Sequence, residues 1–366
     1  MRKRVISKAI CTVFTFLLIT ALSQISVTEA ASEKTIQLTF SDMFPTANLH
    51  GVLNQQFCDE IKNRTGGRVD ITLYPAGSLT SPAKCYQGVV KGISDICMSS
   101  AAYVPGRFPA SEAFLKPLPT YSGWVTTKVI NDFYDEFKPA EYDDVHVLYF
   151  HGPGPNIIAT RNVAVRKLSD LKGLVMRAVG PTVDTLEAWG ATPRGMPMGE
   201  TYEALAKGIV EGTFTAAETL KGFKLADVVK YVTIPPISNV GIIFAVMNKE
   251  KWNSLPEDIK EVFNKVSQEW VERRCMVWRY YDKAGLDYFE SLAKGREIIT
   301  IPKDQEREWK DSAQSALASY IKYTEAKGLP GAEYLDYIEK RTIYWGERQQ
   351  SEEYCTKWVN ENLLKK

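Results

Sequence analysis

The sequence predicts an α/β protein of two domains, each built on a mainly parallel sheet covered by helices. Three observations predict it. The chain has 366 residues, 45% of them hydrophobic, enough for two sizeable cores. Short alternating runs and segments of helical spacing follow one another as strand, helix, strand, helix, strand. A second run of the same kind starts near Val145.

In chain order, Thr35 to Phe40 alternates apolar and polar residues as a strand does, and Phe44-Pro45 breaks it. Asn48 to Arg64 carries Leu53, Phe57 and Ile61 at helical spacing and stops at Thr65-Gly66-Gly67. Arg68 to Tyr74 is a second alternating strand. Ser81 to Lys91 is helical with Pro82 in its first turn, and Ile93 to Met98 is a short strand. The second run has strands at Val145 to Phe150 and Gly173 to Ala178, then helices at Thr182 to Trp189 and Thr201 to Lys207. Ile242 to Asn248 is apolar enough for a strand covered on both faces. Ser254 and Glu257 have the spacing of a capping box. Beyond them Ile259, Phe263, Val266, Trp270, Val277, Tyr281 and Tyr288 keep helical spacing for roughly 35 residues. One long bracing helix and two helices with a kink fit that pattern equally. Ile298 to Ile301 is a strand, Asp304 to Ala326 a helix, and Tyr334 to Lys366 adds helices. No internal repeat and no low-complexity linker is visible.

The N-terminus predicts export. Arg2, Lys3, Arg4 and Lys8 precede an apolar run from Ala9 to Leu22, and Thr28-Glu29-Ala30 supplies small residues for cleavage. That is the layout of a signal peptide over residues 1–30. An uncleaved signal anchor is the competing reading. The run is shorter than the ~20 apolar residues a spanning helix needs, and so is Val240 to Met247, the longest later stretch. The full chain carries +1; the leader holds four of its 45 basic and one of its 44 acidic residues, so the remainder carries −2. Nothing in that balance, and no basic stripe, points to nucleic acid.

Cys58, Cys85, Cys97, Cys275 and Cys355 follow the leader without a CxxC pair, which argues against a zinc or thioredoxin-type site. An oxidising compartment permits a disulfide, and Cys58 with Cys85, on the first two helices, is the expected pair. Such a bridge contributes about 3–4 kcal/mol by loop entropy. All five reduced is the alternative.

Signatures of chemistry are missing. His50, His146 and His151 are scattered, with no HExxH and no Cys/His cluster. There is no GxSxG elbow, no GxxxxGK[ST] loop and no GxGxxG after a strand. The prolines of Gly152-Pro153-Gly154-Pro155 remove the N–H groups a phosphate cradle needs, so this segment reads as a rigid crossing between domains. His151 beside it is expected to be packed or hydrogen-bonded rather than catalytic. Glu200 and Glu203 read as a solvated helix face. No catalytic residue, metal or cofactor is expected.

One stretch carries a resemblance. Lys167-Leu168-Ser169-Asp170-Leu171-Lys172-Gly173-Leu174-Val175-Met176-Arg177 closes a turn, enters a strand and ends on arginine. It resembles the DctP family of solute-binding proteins of tripartite ATP-independent periplasmic (TRAP) transporters. Glu60-Ile61 with Arg64 to Val69, Val89 to Ile96, Ala204 to Gly212 with Glu211 in place of an aspartate, Met247-Asn248-Lys249 and Trp252 to Pro256 agree with it in order. The resemblance runs from about Thr35 to about Tyr323.

It implies a two-domain periplasmic-binding-protein fold of type II-like form, with crossing strands, an interdomain cleft and a long bridging helix. Domain 1 would comprise residues 34–153 plus about 242–282, and domain 2 residues 154–241 plus about 283–330. Residues 331–366 would form a C-terminal helical extension. It also implies that Arg177 pairs with a substrate carboxylate, a role its planar fork of donors suits. Asn156, Met198 and Thr215 would line the site. Tyr103 and Phe214 are either its aromatic wall or core aromatics. Arg107, in Tyr103 to Pro109, either lines the cleft or braces a loop.

Two departures narrow the ligand. Where many acidic-sugar and dicarboxylate binders carry a second arginine, Asn156 is the only polar side chain of Pro155-Asn156-Ile157-Ile158. Thr215 replaces the family's usual asparagine. A monocarboxylate held by one arginine and neutral polar groups is therefore expected. The expected function is periplasmic capture of a small organic acid and its delivery to integral-membrane TRAP subunits. A binding protein for an ABC importer or a sensor, and a periplasmic enzyme on the same scaffold, are the alternatives.

Overall fold

A computed structural model describes residues 34–292 and 295–364. The leader over residues 1–30 and its cleavage lie outside the described residues. Two sheets organise the chain. The first contains β1 (Ile36–Asp42), β2 (Val69–Tyr74), β3 (Ile96–Ser100), β4 (Val145–His151) and β10 (Ile243–Asn248), in the order β2-β1-β3-β10-β4. The second contains β5 (Asn156–Thr160), β6 (Val175–Ala178), β7 (Thr192–Gly195), β8 (Gly212–Ala216), β9 (Tyr231–Ile234) and β11 (Glu297–Thr300), in the order β11-β9-β5-β8-β6-β7. Residues 152–155 carry the chain from β4 in one sheet to β5 in the other. β10 lies antiparallel between β3 and β4, buried along almost its whole length.

The two halves repeat one plan. β1 is parallel to β2 and β3, and β6 is parallel to β7 and β8. The third strand of each set then pairs antiparallel with a strand inserted from elsewhere in the chain, β10 on β3 and β5 on β8. Lys91-Gly92-Ile93-Ser94-Asp95 leads into β3 and Lys207-Gly208-Ile209-Val210-Glu211 into β8. Gly92 and Gly208 turn the chain at φ +70° and +72°, where a side chain is strained. The Asp95 carboxylate accepts from the Thr39 N–H at 2.8 Å, and Glu211 from the Val175 N–H at 2.9 Å. Each acid thus ties the start of a third strand to the first. So short a shared segment explains why the sequence shows no repeat.

Helices cover both sheets: α1 (Leu49–Arg64), α2 (Cys85–Val90), α3 (Gly123–Phe137), α4 (Thr182–Ala188), α5 (Met198–Ala206), α6 (Glu218–Gly222) and α7 (Lys249–Ser254). Next comes α8 (Glu257–Ser291), 35 residues without a break. The ambiguity between one helix and two resolves to one. At 1.5 Å per residue it is about 50 Å long. Ile259, Phe263, Val266 and Trp270 bury it against the first sheet, and Phe289 against the core of the second. The expected capping box does not form. Ser254 ends α7, its hydroxyl donates to the Lys251 carbonyl, and Pro256 takes the N-cap of α8.

The expected Cys58–Cys85 disulfide is also corrected: Cys85 is bonded to Cys97, and Cys58, Cys275 and Cys355 are free and buried. The pleat of β3 gives the reason. Cys97 points to the face that holds Cys85, whereas Ile96 and Met98 point to the opposite face, where Cys58 packs beside Phe57 and Ile61.

The last helices are α9 (Glu306–Ser312), α10 (Gln314–Glu325), α11 (Gly331–Gly346) and α12 (Glu352–Val359). Trp309 of α9 packs in the second half, but Tyr320 of α10 is already in a first-half core with Tyr334, Ile338 and Cys355. The chain therefore returns to the first sheet before residue 330. No helix among the described residues is long and apolar enough to cross a membrane.

Candidate ligand-binding site

The carboxyl ends of the parallel strands of both sheets converge on one cleft of about 790 Å³. In α/β sheets ligands bind at such strand ends. Met43 and Phe44 follow β1, Ser100 ends β3, Arg177 precedes the last residue of β6, and Thr215-Ala216 ends β8. All six predicted residues, Arg177, Asn156, Tyr103, Met198, Phe214 and Thr215, lie on its lining.

Arg177 is 3% exposed. Its Nε donates to the Met196 carbonyl at 3.1 Å, which fixes the plane of the fork. No carboxylate among the described residues pairs with it. Burial pulls its pKa down from the usual guanidinium range, with the nearby Tyr103 hydroxyl opposing. That hydroxyl accepts from the Met198 N–H at 3.2 Å, so Tyr103 of the first half touches the second half beside the arginine.

Arg274 provides the contrast. It too is fully buried, but both terminal nitrogens of its fork are engaged. It donates to the His50 carbonyl and the Tyr149 hydroxyl at 3.1 and 3.2 Å, and to Asn54 Oδ1. Nearby, burial pushes Asp42 up to about 7, opposed by the Phe44 N–H, Asn54 and the Arg274 charge. Arg274 is a structural cation; among the described residues Arg177 has the Met196 carbonyl and the Tyr103 hydroxyl beside it and no carboxylate.

Around Arg177 the polar groups are neutral. The Asn156 side chain and the Thr215 hydroxyl make no hydrogen bond among the described residues, although both line the cleft. Phe44, Leu115, Val240, Ile243 and Trp278 supply apolar wall. Phe214 meets both readings at once: it reaches the cleft, and its ring packs edge-on to Trp189 at 5.4 Å within the core. Arg107 does not line the cleft. It pairs with Asp144 at 2.7 Å and braces its loop. His151 is buried, and its Nδ1 accepts from the Trp278 indole. Glu200 and Glu203 are exposed. No group of metal-ligating side chains occurs among the described residues.

Of the lining residues that the sequence did not single out, two bear on the chemistry. Trp278, on α8, faces the cleft from below. Glu218, at the start of α6, is its only acidic lining residue among the described residues. Its Oε1 accepts from Asn48 Nδ2 at 2.7 Å, while Asn48 Oδ1 caps α1 through the His50 N–H. Burial pushes Glu218 up to about 7, opposed by the Asn48 bond. An acid three residues past the Thr213-Phe214-Thr215 strand was the available signal, since strand ends face the cleft.

Further contacts join the halves. Lys116 pairs with Asp184 of α4 at 2.7 Å, and Asn239 Nδ2 donates to the Leu115 carbonyl and the Thr185 hydroxyl.

Two sheets around a shared strand-end cleft, spanned by one long helix, define a two-domain solute-binding protein. Residues 41–323 match the bacterial extracellular solute-binding proteins, family 7 (DctP), and the chain belongs to that family. A TRAP periplasmic solute-binding protein from Desulfovibrio salexigens is 32% identical, with a TM-score of 0.75 over 87% of this chain and 99% of that one. A marine-metagenome TRAP protein described as specific for aromatic acids, solved with metahydroxyphenylacetate, superposes with a TM-score of 0.80 at 24% identity, covering 86% of this chain and all of its own. The ectoine/5-hydroxyectoine-binding periplasmic protein UehA of Ruegeria pomeroyi is 25% identical over 82% of this chain and 88% of its own. Capture of a small solute for TRAP transport is thus the function of this fold and family, which is extracytoplasmic.

Proposed function

We propose that the chain binds a small monocarboxylate through Arg177 and presents it to the membrane subunits of a TRAP transporter. One observation carries this reading: Arg177 is buried, oriented and unpaired at a strand end in the cleft. A buried guanidinium without a counter-charge is costly, and a bidentate carboxylate relieves that cost. One cation among neutral amide and hydroxyl groups matches one carboxylate better than two. The apolar wall suits a hydrocarbon or aromatic remainder, in keeping with the aromatic acid held by the metagenome protein. Micromolar affinity corresponds to about −8 kcal/mol, within reach of one such pair, a few hydrogen bonds and apolar contact. Residues 1–30 would direct export, so that the ligand is met in the periplasm. The cross-cleft contacts of Tyr103 and Lys116 favour a closed form in which bound ligand joins the halves.

Thermal unfolding of the leaderless protein against a panel of small carboxylic acids tests this, since a ligand that binds only the native state raises the midpoint. A rise with one class of acid, absent in Arg177→Ala, is expected. No rise with any acid removes the carboxylate assignment.

A further inference from the structure

Of the described residues that line the cleft, Arg177 is the only cation and Glu218 the only acid. Glu218 is 3% exposed. Its Oε1 is held by Asn48, which is itself fixed as the cap of α1. No group among the described residues donates to Oε2, and that atom is not sealed in the interior either. Glu218 lines the cleft, which leaves Oε2 as the carboxyl atom for what enters it. The setting is built around this pair: a Cβ on Gly222 would stand 2.5 Å from Glu218 Oε1 and 2.6 Å from Asn48 Nδ2. At Gly285 of α8, a Cβ would collide with the Ala217 carbonyl, so close packing sets the backbone that leads into Glu218.

We infer that Glu218 is a second ligand-reading group, accepting a hydrogen bond from a hydroxyl or ammonium on the same organic acid whose carboxylate Arg177 holds. This rests on the carboxylate reading above and narrows it to hydroxy or amino acids in the broad chemical sense. A carboxyl oxygen presented to an apolar cleft is poorly solvated when empty of partners, and a donor on the ligand satisfies it. A ligand without that donor would leave the oxygen desolvated and unpaired. Discrimination by a missing hydrogen bond to a buried polar group is stronger than discrimination by an extra methylene. Asn48 holds the carboxyl from the first half, so the same contact would be completed from both sides of the cleft.

Calorimetry on the leaderless protein tests the inference with two probe series: butyrate, 3-hydroxybutyrate and 3-aminobutyrate, and benzoate, 3-hydroxybenzoate and 3-(aminomethyl)benzoate. In at least one series a donor-bearing member is expected to bind about tenfold or more tightly than its parent. The hydroxyl and ammonium arms show which donor is read. Glu218→Gln keeps an acceptor for Asn48 and replaces Oε2 by an N–H donor, so the ratio between donor-bearing member and parent is expected to fall to about one or invert. A ratio unchanged in Glu218→Gln, or parents preferred by the wild type, overturns the inference. A measurement without a variant is proton release at pH 7, compared in phosphate and Tris. Release on binding the donor-bearing acid but not its parent is expected, because the donor favours ionised Glu218; equal release for both overturns it. Binding that depends on Arg177 but ignores the donor removes only this inference. Silence with all six acids removes the carboxylate reading as well.

Discussion

The indole N–H of Trp278 donates to Nδ1 of His151 at 2.9 Å, so the imidazole carries its own proton on Nε2. Burial, with the Arg274 charge, holds His151 well below its ordinary pKa and keeps the ring neutral. The His50 ring lies 4.0 Å from the indole and 5.5 Å from the His151 ring, so Trp278, which lines the cleft, packs against a pair of uncharged imidazoles. A bound acid is therefore expected to change tryptophan emission, and Trp278→Phe to lose that change. The variant also leaves His151 Nδ1 unpaired, which costs about 1–3 kcal/mol in urea unfolding. Ligand-dependent emission that survives in Trp278→Phe would place the reporter elsewhere.

Arg177→Met removes a buried charge that has no ionic partner. Such a change is expected to leave the ligand-free midpoint unchanged or raised, while the ligand-induced rise disappears. A variant that unfolds several degrees early without ligand would mean that the arginine holds the cleft together rather than reading what enters it.

Glu218 sets a pH dependence whose sign follows from its raised pKa. The native state holds this proton more tightly than the unfolded chain does, so its contribution is full below the ordinary carboxyl range. It is lost as pH rises through about 7. Wild type is expected to lose stability relative to Glu218→Gln between pH 4.5 and 8, by up to about 3 kcal/mol. Comparing the two proteins cancels the opposite trend from the buried histidines. A gap that stays constant with pH would mean that the carboxyl is solvated.

The disulfide closes a short loop, with the two cysteines 12 residues apart. Its reduction, or Cys85→Ser, is expected to cost about 2–3 kcal/mol. Peptide mapping without reduction should recover Cys85 joined to Cys97; a Cys58–Cys85 peptide would contradict the pleat of β3.

Much of the fold was legible because periodicity is local. The strands at Val69–Tyr74 and Ile243–Asn248 and the helix from Asn48 announce themselves by spacing and by Gly or Pro stops. β7 was not, since Thr192–Gly195 is short, exposed and contains a proline. The helix Gly123–Phe137 went unread although Ser122 caps it. The disulfide partner could not be read, because it depends on which face of β3 a residue occupies, and the repeat could not, because the segment the two halves share is so short. Of the cleft residues, Arg177 was found through its motif. Trp278 was hidden within a periodic helix, where a cleft-facing tryptophan and a core tryptophan have the same spacing. Glu218 was hidden because an acid at a helix start ordinarily reads as favourable to the dipole.

β10 has a consequence for how the protein can be made. It is the strand that joins β3 to β4, yet it lies nearly a hundred residues beyond β4 in the chain. Until residue 248 has emerged from whatever machine is feeding the polypeptide, the first sheet is two fragments with bare edges. An N-terminal half synthesised or threaded first must wait, unpaired, for a late piece to click in. Such a chain cannot complete its first sheet until this late strand is available, and long-range pairing of that kind is slow. By the same token, neither half can be cut out as a continuous segment and expected to stand alone.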